Sequence, residues 1–207
     1  MTDITKLVAT LVDDVIAARE ALSGSNTQVN RRNLVRATLA AVEGLVWLTR
    51  QDVRETARTM DELTPLADLA LQEQSYQITS SGEIIEDIKL VPITTSIRLV
   101  VRQAQRLSPE LNVDFGDAGW QNLCQAIEVR NRITHPKSLT NLIIADSDLA
   151  CVAAGFEWFL ELATAIMLHG LVELKLHVKL FNELHQQLNQ GDPTALAAYN
   201  SLLHGND

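Results

Sequence analysis

The chain has few cysteines, and they form no pattern. Cys124 and Cys151 are the only two, and each falls within an apolar helical pattern. No Cys-x-x-Cys motif or cysteine–histidine cluster accompanies them, which argues against a structural zinc site and against a disulfide framework. We therefore expect both thiols to be small buried hydrophobic side chains.

Positive charge is also scarce. The 207 residues include 26 acidic and 17 basic side chains, which gives a net charge of -9. Proteins that coat DNA or RNA are normally basic overall, and membrane-surface helices usually carry a basic face. The charge balance argues against both classes, but it leaves room for a small arginine-lined cleft.

Long hydrophobic runs are missing as well. The longest uncharged apolar stretch in the C-terminal half, residues 162–172, is flanked by Glu161 and Glu173 and is too short to cross a bilayer. The first residues lack a basic segment followed by an apolar run, so no signal peptide is expected. The sequence predicts a soluble, cytoplasmic protein that does not enter a membrane.

Helical periodicity dominates what is present. Apolar residues recur three and four positions apart over residues 4–16 and again over 30–60. The prolines fall at proposed element boundaries, where they start or stop helices. The sequence predicts an all-α protein, a single domain over residues 1–207 with a bundle of about five to seven helices.

Two segments depart from this pattern. Residues 76–88 contain two short runs around Ser80-Ser81-Gly82, which indicate either a short β-hairpin or a surface loop. Residues 172–180 alternate between apolar and polar as a strand does, yet they also fit a helical seam, and helical flanks favour a helix. Gly170 is a candidate break in that helix. Asp117 and Asp192 are predicted helix N-caps.

The helix after Asp117 has the most informative sequence. Its apolar stripe begins with Trp120, Leu123, Cys124 and Ile127, and the same spacing then reaches Arg130, Asn131, Thr134 and His135. Pro136 biases His135 out of helical geometry and ends the helix. Because buried arginine and histidine are costly unless paired or used, we expect a functional group of polar residues at this helix end.

Residues 127–136, IEVRNRITHP, resemble the signature of the HEPN superfamily. That signature has an Arg, usually a polar residue such as Asn, and a His about five positions after the Arg, at the end of a helix in an all-helical bundle. Residues 31–44 are similar to the second helix of many members. The alternative interpretation is that Arg130 and His135 only favour the dipole of a helix C-terminus.

The resemblance implies a metal-independent endoribonuclease without a cofactor, acting on single-stranded or loop RNA. It implies that His135 is general base or acid for attack of the ribose 2′-OH on the phosphate, and that Arg130 stabilises the phosphoryl oxygens. Asn131 would orient either the His or the phosphate. Members commonly form two-fold dimers whose motif helices meet, so a homodimer with a shared active site is expected, in a toxin, antiviral or stress role.

Other residues are expected to support this site. The predicted substrate-binding residues are Arg132, Lys137, Arg31, Arg32 and Arg36. Glu43 is expected to pair with an arginine of the site or to form a helix–helix salt bridge. Some toxin members have a Tyr where this chain has Lys137, and a partner nucleotidyltransferase modifies it. Regulation by that partner is therefore not expected, whereas an antitoxin or other regulatory protein is.

Two rival functions stay open. A noncatalytic helical protein would use the same bundle for dimerisation or partner binding. A metal-dependent enzyme would use His169, Glu173 and His177, which share a helix face but lack a fourth ligand, so a surface face is favoured.

Two further residue sets have structural interpretations. Arg50, Arg54 and Arg58 are interpreted as a solvated helix face that pairs with acids rather than as a track for RNA. The three tryptophans fall on apolar stripes, and we expect them in the core or at a dimer contact.

Overall fold

The computed structural model describes residues 3–204, and it is a helical bundle with one β-hairpin. The seven α-helices of this part of the chain are α1 Asp3–Gly24, α2 Gln28–Thr59, α3 Pro65–Leu71, α4 Ile93–Leu107, α5 Ala118–Thr134, α6 Asp146–Asn189 and α7 Pro193–His204. The strands are β1 Gln74–Ile78 and β2 Ile84–Ile88, and a 3₁₀ turn covers Leu139–Leu142. The predicted all-α class with a short hairpin is confirmed.

Short polar side chains set the helix starts. The Asp117 Oδ1 accepts a hydrogen bond from the Trp120 N–H at 2.7 Å, and the Asp192 Oδ1 accepts one from the Ala195 N–H at 2.9 Å. Each bond satisfies a backbone donor that has no partner inside its helix. Both predicted N-caps are confirmed. Helix α3, which begins at Pro65 after Thr64, was not predicted as an element.

Helix α2 is at the centre of the bundle. It packs against α1, α4, α5 and α6, and its Val35, Leu39 and Val42 are fully buried. Helix α5 packs along α6, and the two backbones are in close contact at Gly155. A Cβ atom at Gly155 would lie 2.6 Å from the Leu123 Cα, so this crossing has no room for a side chain.

The two ambiguous segments are resolved. Strands β1 and β2 pair antiparallel with Ile78 opposite Ile84, so residues 76–88 form a hairpin. Residues 172–180 are helical, as favoured, and they belong to one continuous α6, so of the two alternatives the chain forms one long helix without a break at Gly170. A single glycine costs a helix only about 1 kcal/mol relative to alanine, and regular helix on both sides outweighs that cost.

The two halves of α6 differ in burial. Val152, Phe156, Phe159 and Ile166 of the first half are part of the core. Beyond Met167, large apolar side chains are 47–64% exposed: Leu168, Leu171, Val172, Leu176, Val178, Leu180 and Phe181. By length and composition, α6 is also the one helix among residues 3–204 that could cross a membrane. The expected absence from membranes stays a prediction.

Candidate functional site

The last two turns of α5 differ from the predicted burial. The buried stripe passes through Ala126, Val129 and Ile133, which are 1–4% exposed. Asn131 and His135 are exposed, and Arg130 is partly buried. The prediction that these residues continue the buried face is wrong. Val129 and Ile133 are buried instead, so the buried face of α5 points away from Asn131 and His135. The motif side chains are therefore at the edge of the core.

An open pocket of about 740 Å³ adjoins this helix end. Arg130 and Asn131 line it from α5, and Glu43, Trp47 and Arg50 line it from α2. Val46 and Ile127 of the same two helices also line it, and the remaining lining residues come from the hairpin side and from α4: Glu73, residues 90–94 and Ser96. The pocket brings together three of the predicted site residues, Arg130, Asn131 and Glu43.

Arg130 is held by an ion pair across two helices. Its Nη2 donates to the Glu43 Oε1, and the two side chains are 26% and 48% exposed. The expected pairing of Glu43 with an arginine of the site is confirmed, and it also joins α2 to α5. The buried Arg130 Nε has no hydrogen-bond partner, so the guanidinium keeps a free donor.

His135 is the C-cap of α5. Its backbone, at φ -122° and ψ 61°, has left helical geometry, and its N–H donates to the Asn131 carbonyl at 3.0 Å. The side chain is exposed and makes no hydrogen bond within the described part of the chain. Because residues four apart share a helix side, His135 is one turn beyond the pocket residue Asn131.

Three of the predicted substrate-binding arginines have structural contacts. The Arg31 Nη1 donates to the Ile144 carbonyl at 2.9 Å, and its Nη2 pairs with Asp146 at 2.7 Å. The Arg32 Nη1 donates to the Leu142 carbonyl at 2.9 Å, and Arg132 pairs with Asp148 at 2.8 Å. These contacts fix the segment between α5 and α6 to its neighbours. They give the three arginines a structural role that needs no bound RNA.

The charged groups of Arg36 and Lys137 have fewer contacts within the protein. Arg36 is exposed, and its Nη2 lies 3.5 Å from the Ile133 carbonyl, at the limit of a hydrogen bond. Lys137 is exposed too, and only its backbone N–H is bonded, to the Asn141 Oδ1 at 2.9 Å. Both cations are therefore near the motif end of α5 with heads that can meet a phosphate.

The pocket also contains residues that the sequence did not predict at the site. Arg50 is 6% exposed, and its Nη1 pairs with the Glu73 Oε1 at 2.9 Å. Arg54 and Arg58 pair with Asp68 and Glu55, so the predicted pairing with acids is confirmed, but Arg50 does not belong to a solvated face. Its position between Val46 and Val53 on the buried stripe was the available signal.

Trp47 and Ser96 complete this group. Trp47 lines the pocket and is 45% exposed, so it is outside the core, and its alternative place at a dimer contact stays a prediction. Ser96 is 3% exposed, and its Oγ has no hydrogen-bond partner. Neither residue type is distinctive in a sequence, because serine and tryptophan also occur on ordinary core stripes. Trp120 is in the core, as one alternative predicted, and Trp158 packs against that core, with the two ring centroids 5.6 Å apart.

The histidine face of α6 has a different arrangement from a metal site. The Ser108 Oγ lies 3.1 Å from the His169 Nδ1 and donates to the Glu173 Oε1 at 3.0 Å. Within residues 3–204, no group of three or more His, Cys, Asp or Glu side chains is placed to hold a metal ion. His169 and Glu173 are thus engaged in fixing the end of α4 to α6.

The cysteines are only partly buried, so the expected full burial is wrong. The Cys151 Sγ donates to the Gln125 Oε1 at 3.2 Å. Burial raises the pKa of the Cys124 thiol above its ordinary value, Arg98 opposes that rise and Glu128 adds to it. A raised pKa lowers the thiolate fraction, so Cys124 is a poor nucleophile at neutral pH.

Comparison with known proteins finds no relative: no protein-family model, no curated protein and no solved structure matches the chain. Function is therefore inferred from the pocket at the end of α5 and from the residues of the motif.

Proposed function

We propose that the protein is a metal-independent endoribonuclease of the HEPN type. The observation that carries the proposal is the placement of the motif: Arg130 and Asn131 line an open pocket, and exposed His135 is one helical turn further on. A phosphodiester of single-stranded RNA can reach all three, because they are at a solvent-open helix end.

The residue types suit cleavage by the ribose 2′-OH. His135 takes the proton from the 2′-OH, the 2′ oxygen bonds to phosphorus, and the bond from phosphorus to the 5′ oxygen breaks. The leaving oxygen receives a proton, which gives a 2′,3′-cyclic phosphate and a 5′-hydroxyl. Arg130, fixed by Glu43, donates to the phosphoryl oxygens as their charge grows. Arg36 and Lys137 bind neighbouring phosphates.

The proposed active form is a homodimer in which the motif ends of two α5 helices face each other. Each reaction needs a proton acceptor and a proton donor, and two copies provide two His135 side chains. The exposure of Asn131, Thr134 and His135 supports this arrangement, because it leaves the motif end free to meet a partner. We propose a cytoplasmic role as a toxin or in antiviral or stress response, with an antitoxin or other regulatory protein as partner.

The proposal is tested with labelled RNA in the presence of a chelator. Wild type, His135→Ala and Arg130→Ala are compared with His185→Ala, which removes an exposed histidine of α6. We expect cleavage in chelator by wild type and His185→Ala, and a loss of at least about 100-fold in the two motif variants. Equal activity of all four proteins would refute the nuclease, and loss of cleavage with chelator would point to a metal enzyme.

One observation favours a second candidate, a noncatalytic protein for dimerisation or partner binding. The apolar side chains of α6 beyond Met167 are about half exposed, and large exposed apolar patches mark interaction sites in soluble proteins. Replacing Val172 and Leu176 by Gln would then abolish association without reducing stability. Leu139→Gln, at an apolar side chain that is 84% exposed elsewhere, is the matched control. Light scattering after size exclusion measures the association.

A further inference from the structure

The pocket beside Arg130 has unsatisfied polar atoms. The Nε atoms of Arg50 and Arg130 and the Oγ of Ser96 are buried and have no hydrogen-bond partner among residues 3–204, and all three residues line the pocket. A buried donor without a partner is unfavourable, and native proteins have few of them. All three groups donate hydrogen bonds, so the pocket is suited to a ligand that offers several acceptors.

The charges of the pocket are balanced. Arg50 pairs with Glu73 through two contacts, at 2.9 and 3.3 Å, and Arg130 pairs with Glu43. The buried Arg50 guanidinium is neutralised by the Glu73 carboxylate at its side, so the part of the pocket beside Arg50 does not favour an isolated anion. A neutral polar group with donors and acceptors side by side fits better, because it meets the Nε donors and the carboxylates together.

One wall of the pocket is aromatic and apolar. Trp47 is 45% exposed in total and lines this pocket, and Leu90, Val91, Pro92 and Ile93 line the same space. An exposed indole beside apolar side chains is a platform for a flat ring, since bases stack on aromatic side chains in single-stranded RNA recognition. The volume of about 740 Å³ is within the range of ligand pockets and can admit a nucleotide.

Glu73 brings a carboxylate to the pocket from the end of α3. It follows the C-cap Gln72 and has φ 56°, the left-handed conformation in which helices commonly end. Its carbonyl accepts the Lys89 N–H at 2.9 Å, and its carboxylate is held by Arg50. The helix end therefore fixes the position of the Glu73 carboxylate in the pocket wall.

We infer that this pocket binds an unpaired nucleobase. The base stacks on Trp47, and its polar edge meets Arg50 and Ser96, while Arg130 is left to the phosphate. Its ribose and phosphate then extend over the rim at Asn131 towards His135. This inference rests on the proposed function in that the base belongs to the RNA, and it deepens that function: the enzyme selects single-stranded sites by capturing a flipped-out base.

The test measures binding separately from cleavage. The probes are the four ribonucleoside 5′-monophosphates, with inorganic phosphate in parallel, and the method is calorimetric titration. We expect at least one nucleotide to bind in preference to phosphate. Trp47→Ala should weaken it roughly 5- to 100-fold, the range expected for a lost stacking contact. Ser96→Ala should weaken it by roughly 2- to 10-fold.

Two controls separate this inference from the nuclease. Tyr76→Ala removes another exposed aromatic side chain, 61% exposed on the hairpin and outside this pocket, and it should bind like wild type. His135→Ala should keep nucleotide binding even though cleavage is lost. Binding of no nucleotide, or binding indifferent to Trp47→Ala, would overturn the base pocket, whether or not RNA is cleaved. Nucleotide binding without any cleavage would refute the nuclease alone.

Discussion

Arg130 of α5 and Glu43 of α2 form an ion pair between residues 87 positions apart in the sequence. The pair fixes the guanidinium at the mouth of the pocket, next to Asn131. Arginine side chains have many rotamers, so an unpaired Arg130 would have to be ordered each time RNA binds. Glu43 is therefore a positioning residue for the proposed chemistry.

Glu43→Gln tests this role. The ion pair is half exposed, so its loss should reduce the free energy of unfolding by less than about 1 kcal/mol. Cleavage should fall about tenfold or more, because Arg130 is no longer held against the developing charge. Urea denaturation and single-turnover cleavage measure the two effects. Glu55→Gln, which breaks the Arg58 pair on the same helix, is the control for a general loss of charge. An equal fall in both variants would count against a specific role.

Substitutions of Arg36 and Arg31 should have different effects: the first should weaken RNA binding, and the second should reduce stability. Arg36→Ala removes an exposed guanidinium with one marginal contact, so stability should change by less than about 0.5 kcal/mol, while RNA binding weakens and depends less on salt. Arg31→Ala removes the bonds to Ile144 and Asp146 and should cost about 1–2 kcal/mol. Thermal unfolding and RNA binding at two salt concentrations measure both. A stability loss confined to Arg36→Ala would reverse the assignment.

Asp117 should be important for stability because both of its carboxylate oxygens are used. The Oδ1 caps α5 at Trp120, and the Oδ2 accepts from the Trp158 Nε1 at 2.8 Å. Asp117→Ala loses both bonds and should destabilise the fold by about 2–3 kcal/mol. Asp117→Asn keeps an oxygen for the cap and should cost less than half as much. Chemical denaturation followed by tryptophan fluorescence compares the variants, and equal stability of Asp117→Ala and wild type would contradict the prediction.

Gly155→Ala should destabilise the packing of α5 against α6. The added Cβ would lie 2.6 and 2.7 Å from backbone atoms of Leu123, and a backbone atom cannot move aside as a side chain end can. We expect a loss of about 1–3 kcal/mol from this overpacking. Gly24→Ala is the matched control, since no atom lies within 4 Å of its added Cβ. Differential scanning calorimetry gives both values, and a Gly155→Ala protein as stable as Gly24→Ala would show that the helices can shift apart.

Local patterns predicted most of the helices because a helix start and an apolar stripe each depend on residues that are only three or four positions apart. The caps at Asp117 and Asp192 depend on a side chain and a backbone N–H only three residues away. The continuous helix over residues 172–180 could be favoured for the same reason, since its flanks are helical. By contrast, the seven residues of α3 make only about two turns, which are too few for periodicity to reveal a helix.

The site was only partly predictable because it depends on contacts between distant segments. The motif residues are local and were found, and Glu43 was expected to pair with one of them. Arg50, Glu73 and Ser96 meet only through the packing of α2, the hairpin and α4. The prediction that Asn131 and His135 are buried failed for a similar reason. Beyond Ala126 and Ile127, a spacing of three or four residues can extend the buried stripe either through Asn131 and His135 or through Val129 and Ile133. The packing of α5 against α6 decides between the two.

The continuous α6 fixes a distance as well as a surface. From Met167 to Asn189 a helix rises about 33 Å at 1.5 Å per residue, with no break at Gly170. This half of α6 is thus a stiff arm whose far end carries α7. A molecule that binds this half of α6 is held at a fixed distance from the motif end of α5. Inserting whole helical turns would increase that distance without altering the pocket.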